Sequence, residues 1–174
     1  MFDEGKSNQP AKKDMCLVRV EQLAMDPQNR SPFVRLENED QSREMTIYIG
    51  ACEAGAIITE LEGVRARRPM THDLLMKVVE TLDAKIARVE IARLDEGTYF
   101  AHLVVATGVR EVAIDARPSD SIALALRADA PIFAAEGLLS DAEESRERRE
   151  RFEKERWKEL LEEVAEQDSG GYEN

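Results

Sequence analysis

The chain is short of the residues that announce several familiar chemistries. It has two cysteines in 174 residues, Cys16 and Cys52, each among apolar neighbours and in no Cys-x-x-Cys spacing. That argues against a zinc site and for two reduced core thiols in a cytoplasmic protein. No apolar run approaches the roughly 20 residues needed to span a bilayer, so no membrane partner is expected. The first fourteen residues, MFDEGKSNQPAKKD, contain no apolar segment. They read as a disordered lead-in and not as a secretory signal. Net positive charge is missing as well: 24 Lys and Arg stand against 36 Asp and Glu, a net −12. Non-specific binding to phosphate is largely electrostatic, so a chain of this sign is no general DNA coater. There is also no P-loop, no Gly-x-Gly-x-x-Gly, no Gly-x-Ser-x-Gly, no His-Asn-His cluster and no convincing Asp…Glu-x-Lys triad.

What is present is a soluble-domain composition, 43% hydrophobic and 34% charged, with enough length for one real core. Residues 15–24, 33–36 and 45–49 read as three short strands separated by turns at 26–29 and 37–43, an antiparallel meander. The period then changes. Ala54, Ile57, Ile58 and Leu61 fall on one face of a helix over 53–62, with Gly63 as its C-cap. A second helix opens at Thr71, the expected N-cap, and carries Leu74, Leu75, Val78, Val79 and Leu82 on one side. Residues 87–91 alternate as a strand, Asp95-Glu96-Gly97 makes a hairpin turn, and 98–106 is apolar on both faces and predicts a central strand. Another strand ends near Asp115. A third helix starts at Pro118, a good first-turn residue. Residues 130–133 predict a short last strand or edge segment, where a proline is tolerated.

After residue 139 the composition shifts. ESRERRERFEKERWKELLEEVAEQ is a highly charged helix, expected over 140–168, with a tail at 169–174. Its Trp157, Leu160, Leu161 and Val164 form a sparse apolar stripe, with Phe152 in line, that should dock on its own domain or on a second subunit, a homodimer or other homo-oligomer. The fold class is therefore α+β: a mixed, mostly antiparallel sheet at 15–139 with packed helices, then a long charged C-terminal helix.

Two stretches begin helices in nearly the same polar way: RRPMTHD at 67–73 and DARPSDS at 115–121. Each has an Arg-Pro pair followed closely by a hydroxyl residue and an aspartate. The first lies in a local basic patch with Arg65, Arg67 and Arg68, which can grip a phosphate even on an acidic protein.

These stretches, with Ile49-Gly50, Glu53-Ala54, Leu61-Glu62-Gly63, the run Arg68 to Leu75, the run Asp115 to Ala125 and Ala130-Pro131-Ile132, resemble the bifunctional nuclease domain family in residues, order and spacing. The resemblance covers about residues 15–139. The stretch from Trp157 to Tyr172 is also similar to a C-terminal extension of many bacterial members. Tyr48 stands where a Trp is common in the family and Ser121 where an Ala is usual. The resemblance implies hydrolysis of phosphodiester bonds in DNA and RNA.

That chemistry needs an activated water and stabilisation of the charge that builds on phosphorus, commonly supplied by Mg²⁺ or Mn²⁺ on carboxylates. Asp73, Asp115 and Asp120, with Glu53, are the candidate metal ligands, and His72 is a further one or a general base. His72, Asp73, Asp120 and Glu53 are the candidate catalytic groups. Arg68, Arg117, Ser119 and Thr71 are the candidate phosphate binders, the arginines by bidentate contact and the others at helix N-termini. A plainer reading stands beside each. Thr71, Asp73, Ser119 and Asp120 are what ordinary helix starts use. Arg117 can pair with Asp115 or Asp120, His72 can pack in a cap region, and Glu53 can serve the helix dipole. His102 reads as structural. The alternative to a nuclease is a non-catalytic module that binds an anion, nucleic acid or a protein partner.

Overall fold

The computed structural model describes residues 14–169, and the side chains of its last helix only as far as Glu162. One mixed sheet of eight strands carries the architecture, in the order β6-β5-β4-β7-β1-β2-β3-β8. β1 (Met15–Met25), β2 (Pro32–Asn38) and β3 (Arg43–Tyr48) form the expected meander. β4 (Lys85–Asp95), β5 (Thr98–Ala106) and β6 (Glu111–Ala116) form a second one. The β4–β5 hairpin turns on Glu96 and Gly97, both at positive φ, which is the type I′ geometry that matches strand twist.

β7 (Ile132–Ala135) joins the two meanders. It runs parallel to β4 and antiparallel to β1. Of the two expectations for 130–133, the short strand forms, at 132–135, and it lies inside the sheet and not at an edge. Pro131 precedes the strand, so its missing N–H removes nothing from the ladder, and its carbonyl accepts the Val89 N–H at 2.9 Å. Small residues let a four-residue strand sit between two long ones, and Ile132 and Ala134 are buried. Strand 98–106 is paired on both sides, as expected, but lies one place in from the β6 edge.

Helices α1 (Ala51–Leu61), α2 (Thr71–Thr81) and α3 (Pro118–Ala128) cover one face of the sheet. α3 is the buried one. Ile122, Ala123, Leu124 and Ala125 are all buried, and the helix packs on β4 and β5 with α1 and α2 against it. Alternate strand residues complete the buried cluster under the helices: Val34 and Leu36, Val89 and Ile91, Ala101 and Leu103.

α2 departs from expectation in two ways. Met70, not Thr71, is the N-cap, and Thr71 is the first helical residue with no capping bond from its side chain. The expected core stripe is also rotated. Met76 and Val79 pack on the core, whereas Leu74, Leu75, Val78 and Leu82 face outward. The helix has apolar residues around more than half its girth, so periodicity alone could not choose between its two apolar arcs.

A two-residue strand, β8 (Ser140–Asp141), pairs with β3 and leads into α4 (Ala142–Ser169). α4 is tied back at its start. Arg149 donates from both terminal nitrogens to the buried Glu44 carboxylate, and Arg35 approaches the same carboxylate at 3.9 Å. Beyond that tether the stripe does not dock on its own domain, since Trp157 is 66% exposed and Leu161 and Phe152 are also exposed. Val164, the expected lead-in before Asp14 and the tail after Ser169 lie outside the described side chains and residues.

Ile122 is fully buried at the centre of α3. Ile122→Ala should lower unfolding free energy by about 2–5 kcal/mol, read as a reduced denaturant midpoint with an unchanged m-value.

Candidate functional site

Three helix starts and one helix end meet above the sheet. α1 and α3 run side by side with matching ends. Glu53 at the start of α1 faces Arg117, the N-cap of α3, and Glu60 seven residues later faces Arg127 at the end of α3. Residues seven apart lie two turns along one helix face, so the pair Glu53/Glu60 confronts the face that carries Asp120 and Arg127. The N-terminus of α2 comes down onto this seam.

Asp120 is the hub. Its Oδ1 lies 3.2 Å from His72 Nε2, and its Oδ2 accepts from Arg117 Nε at 2.7 Å. Arg117 also pairs through Nη1 with Glu53 Oε1 at 2.8 Å. The result is a chain of contacts, Glu53–Arg117–Asp120–His72, that joins the first turns of α1, α3 and α2. The Glu53 carboxylate folds back over Gly50, where a Cβ would collide with its Oε2. An N-cap without a side chain is what leaves it that room. His72 has a side chain 13% exposed, whereas Arg117 is 66% exposed. The imidazole is therefore sheltered and the guanidinium faces water. The two carboxylate partners raise the Arg117 pKa, Asp120 most, so it is a permanent cation.

Asp73, one residue from His72, points the other way. Its Oδ2 accepts the Met70 backbone N–H at 2.9 Å, closing the first turn of α2, and its Oδ1 accepts from Arg127 Nε at 2.8 Å. Arg127 is only 5% exposed and also donates from Nη1 to the Ala56 and Ala123 carbonyls. One guanidinium thus holds α1, α2 and α3 together. Beside it is a cleft of about 280 Å³ lined by Arg65, Arg67, Lys77, Glu60, Asp73 and Arg127, and Arg65 is bonded to Glu60 at 2.8 Å.

Of the residues singled out in the sequence, Glu53, His72, Arg117 and Asp120 therefore converge, and Asp73 adjoins them. Arg68 does not. It is exposed in the loop before α2 and has no hydrogen-bond or ion-pair partner among the described residues. Thr71 is exposed and Ser119 is buried at the start of α3, so neither presents its hydroxyl as part of the chain of contacts. Asp115 is on the wrong side. It pairs across β5–β6 with His102, whose neighbours Ala101 and Leu103 face the helices, so Asp115 projects from the opposite sheet face. The candidate metal ligands Asp73, Asp115 and Asp120 are consequently not brought together. The oxygens of Asp73 and Asp120 are already engaged by hydrogen-bond donors, and among the described residues no three His, Cys, Asp or Glu side chains converge to hold a metal ion. The donor set does not fit a resident cation.

Arg127 and Glu60 escaped the reading of the sequence. Their only signal is spacing: each lies seven residues after a candidate acid on the same helix, and a charged residue inside the apolar run IALALRA is unexpected.

The family model described as the bifunctional nuclease domain matches residues 34–147. The chain belongs to that family. Among relatives of this bifunctional nuclease domain protein are two from Mycobacterium tuberculosis, uncharacterized protein MT1877 of strain CDC 1551 and uncharacterized protein Rv1829 of strain H37Rv. Each is 41% identical over 125 residues, covering 72% of this chain and 71% of the relative. The family match at residues 34–147 spans all of the contacts from Glu53 to Arg127. No helix among the described residues is long and apolar enough to cross a membrane.

Arg127 and the Met70 N–H hold the Asp73 carboxyl below the usual carboxylate range, the arginine most. A carboxylate whose folded pKa is lowered adds stability above its unfolded value near 4 and loses it as pH falls through the folded value. The wild-type protein should therefore lose stability below about pH 4, and Asp73→Asn should be less stable at neutral pH with a shallower acid limb. Thermal melting from pH 7 to pH 2.5 reads both.

Proposed function

We propose that this chain hydrolyses phosphodiester bonds of DNA and RNA at the seam where the starts of α2 and α3 meet. The observation that carries the reading is the 3.2 Å contact between His72 and Asp120, with Arg117 on the other oxygen of the same carboxylate. If Nε2–H is donated to Asp120, Nδ1 is the proton acceptor, and the carboxylate stabilises the imidazolium formed when that nitrogen takes a proton. In the proposed step His72 takes a proton from water and the oxygen of that water bonds to phosphorus. The ester bond to the leaving oxygen breaks, and the leaving oxygen takes a proton from the imidazolium. Arg117, whose side chain is 66% exposed, turns one edge of its guanidinium from Glu53 to the phosphate oxygens. Arg65, Arg67 and Lys77 in the neighbouring cleft offer the next phosphates a track with more positive charge than the protein as a whole. We place this activity in the cytoplasm.

A second reading is favoured by one specific observation. Arg117 already has two carboxylate partners, so its charge is neutralised locally, and the whole chain of contacts can serve as a helix clamp in a module that binds an anion or nucleic acid without cutting it.

Purified protein should cleave single-stranded DNA and RNA in assays run in Mg²⁺, Mn²⁺ or chelator. His72→Ala should lower the rate by about 10²–10⁴-fold, and Arg117→Ala should chiefly raise KM. Wild-type protein that binds an oligonucleotide without cleaving it would leave only the binding module. Cleavage that survives His72→Ala would place the chemistry elsewhere.

A further inference from the structure

α2 presents an unpartnered apolar ridge. Met70, Leu74, Val78 and Leu82 follow one another at four-residue steps, with Leu75 beside them, and all five are exposed, Leu82 by 71%. Successive residues at this step form a straight row inclined to the helix axis, the row by which helices most often interlock. The opposite side of α2 is already used, since Met76 and Val79 pack on the core. A surface helix needs one apolar face to stay folded, and this one has two.

We propose that this ridge is a self-association surface, packing against the same ridge of a second copy around a two-fold axis. Two observations select a second copy as the occupant. The first is area: the five side chains leave roughly 500 Å² accessible per copy, and a symmetric contact that covers them buries about 1,000 Å² in all, the lower bound for a specific interface. The second is charge. Two molecules of net −12 repel, so they can meet only where acid is absent. The ridge bears no charge, and the charged residues of α2 beside it are already paired, Lys77 with Glu80 at 3.4 Å and Asp73 with Arg127 at 2.8 Å. The other exposed apolar stripe, around Trp157 on α4, is set among a dense row of acids and bases and suits a different contact.

The pairing has a consequence for the seam described above. Leu74 and Leu75 follow directly on His72 and Asp73, so the second copy would stand beside the starts of α2 and α3 and border the approach to them. The self-association itself does not rest on the chemistry proposed there.

The test is the mass of the full chain in solution at tens of micromolar, by light scattering behind a sizing column. Wild type should run at twice the 19.6 kDa of one chain. Val78→Glu/Leu82→Glu should run at the mass of one copy and keep the wild-type circular dichroism spectrum and a cooperative melt. Trp157→Glu/Leu161→Glu should stay at the mass of two. A monomeric wild type overturns the proposal, as does a Val78→Glu/Leu82→Glu protein that stays paired. Dissociation by the α4 substitutions alone overturns it too, by moving the contact to that stripe. If the α2 double variant fails to melt cooperatively, Leu74→Gln/Leu82→Gln replaces it, with the same expected mass of one copy. Loss of pairing with nuclease activity retained, or the reverse, separates this proposal from the functional one.

Discussion

Asp120 serves two partners at once, one on each oxygen of its carboxylate. Its carboxylate lies between an imidazole from α2 and a guanidinium from its own N-cap, so one side chain links two helix starts. The rest of the arrangement follows. Pro118 fixes the entry to α3 and leaves Arg117 in extended backbone, from which its side chain reaches both Asp120 and Glu53. Gly50 leaves space for the Glu53 carboxylate at the start of α1. The sheet beneath contributes rigidity: α3 is buried against β4 and β5, and a side chain on a rigid element holds its position better than one on a loop.

Arg127 makes the complementary contribution from below. A buried guanidinium is costly unless its charge is matched and its donors are used. Here Asp73 matches the charge, and the Ala56 and Ala123 carbonyls take further donors. The two aspartates near the start of α2 and α3 therefore have different work. Asp73 is a structural acid that fixes where α2 begins, whereas Asp120 touches a histidine sheltered from water. Neighbouring positions in a motif do not share a role merely by sharing a charge.

Much of this was legible in the sequence. Alternation and turn residues define both meanders, and Pro118 with its preceding arginine marks the start of α3. The paired RP-(x)-[ST]-(x)-D stretches do meet, through His72 and Asp120, although not through their two arginines. Illegible parts share one physical cause: sequence spacing gives the face of an element but not what lies over it. Asp115 falls next to the motif in sequence, yet a strand sends alternate residues to opposite faces, and pairing with His102 puts it away from the helices. α2 has two apolar arcs, and only packing reveals which is buried. β7 looks like an edge because of Pro131, and only the parallel pairing with β4 shows that the proline lies outside the ladder. The tether from Arg149 to Glu44 spans 105 residues of sequence, and no local pattern announces it.

The central claim is that the Asp120 carboxylate organises a phosphodiester-cleaving site and does more than brace two helices. Asp120→Asn keeps the shape and removes the charge. Single-turnover cleavage of an end-labelled single-stranded oligonucleotide, compared between wild type and Asp120→Asn purified in parallel, separates these roles. The account predicts that the variant folds and melts cooperatively but cleaves at least 100-fold more slowly, about the contribution of a correctly oriented base. Equal cleavage rates in the two proteins would contradict it.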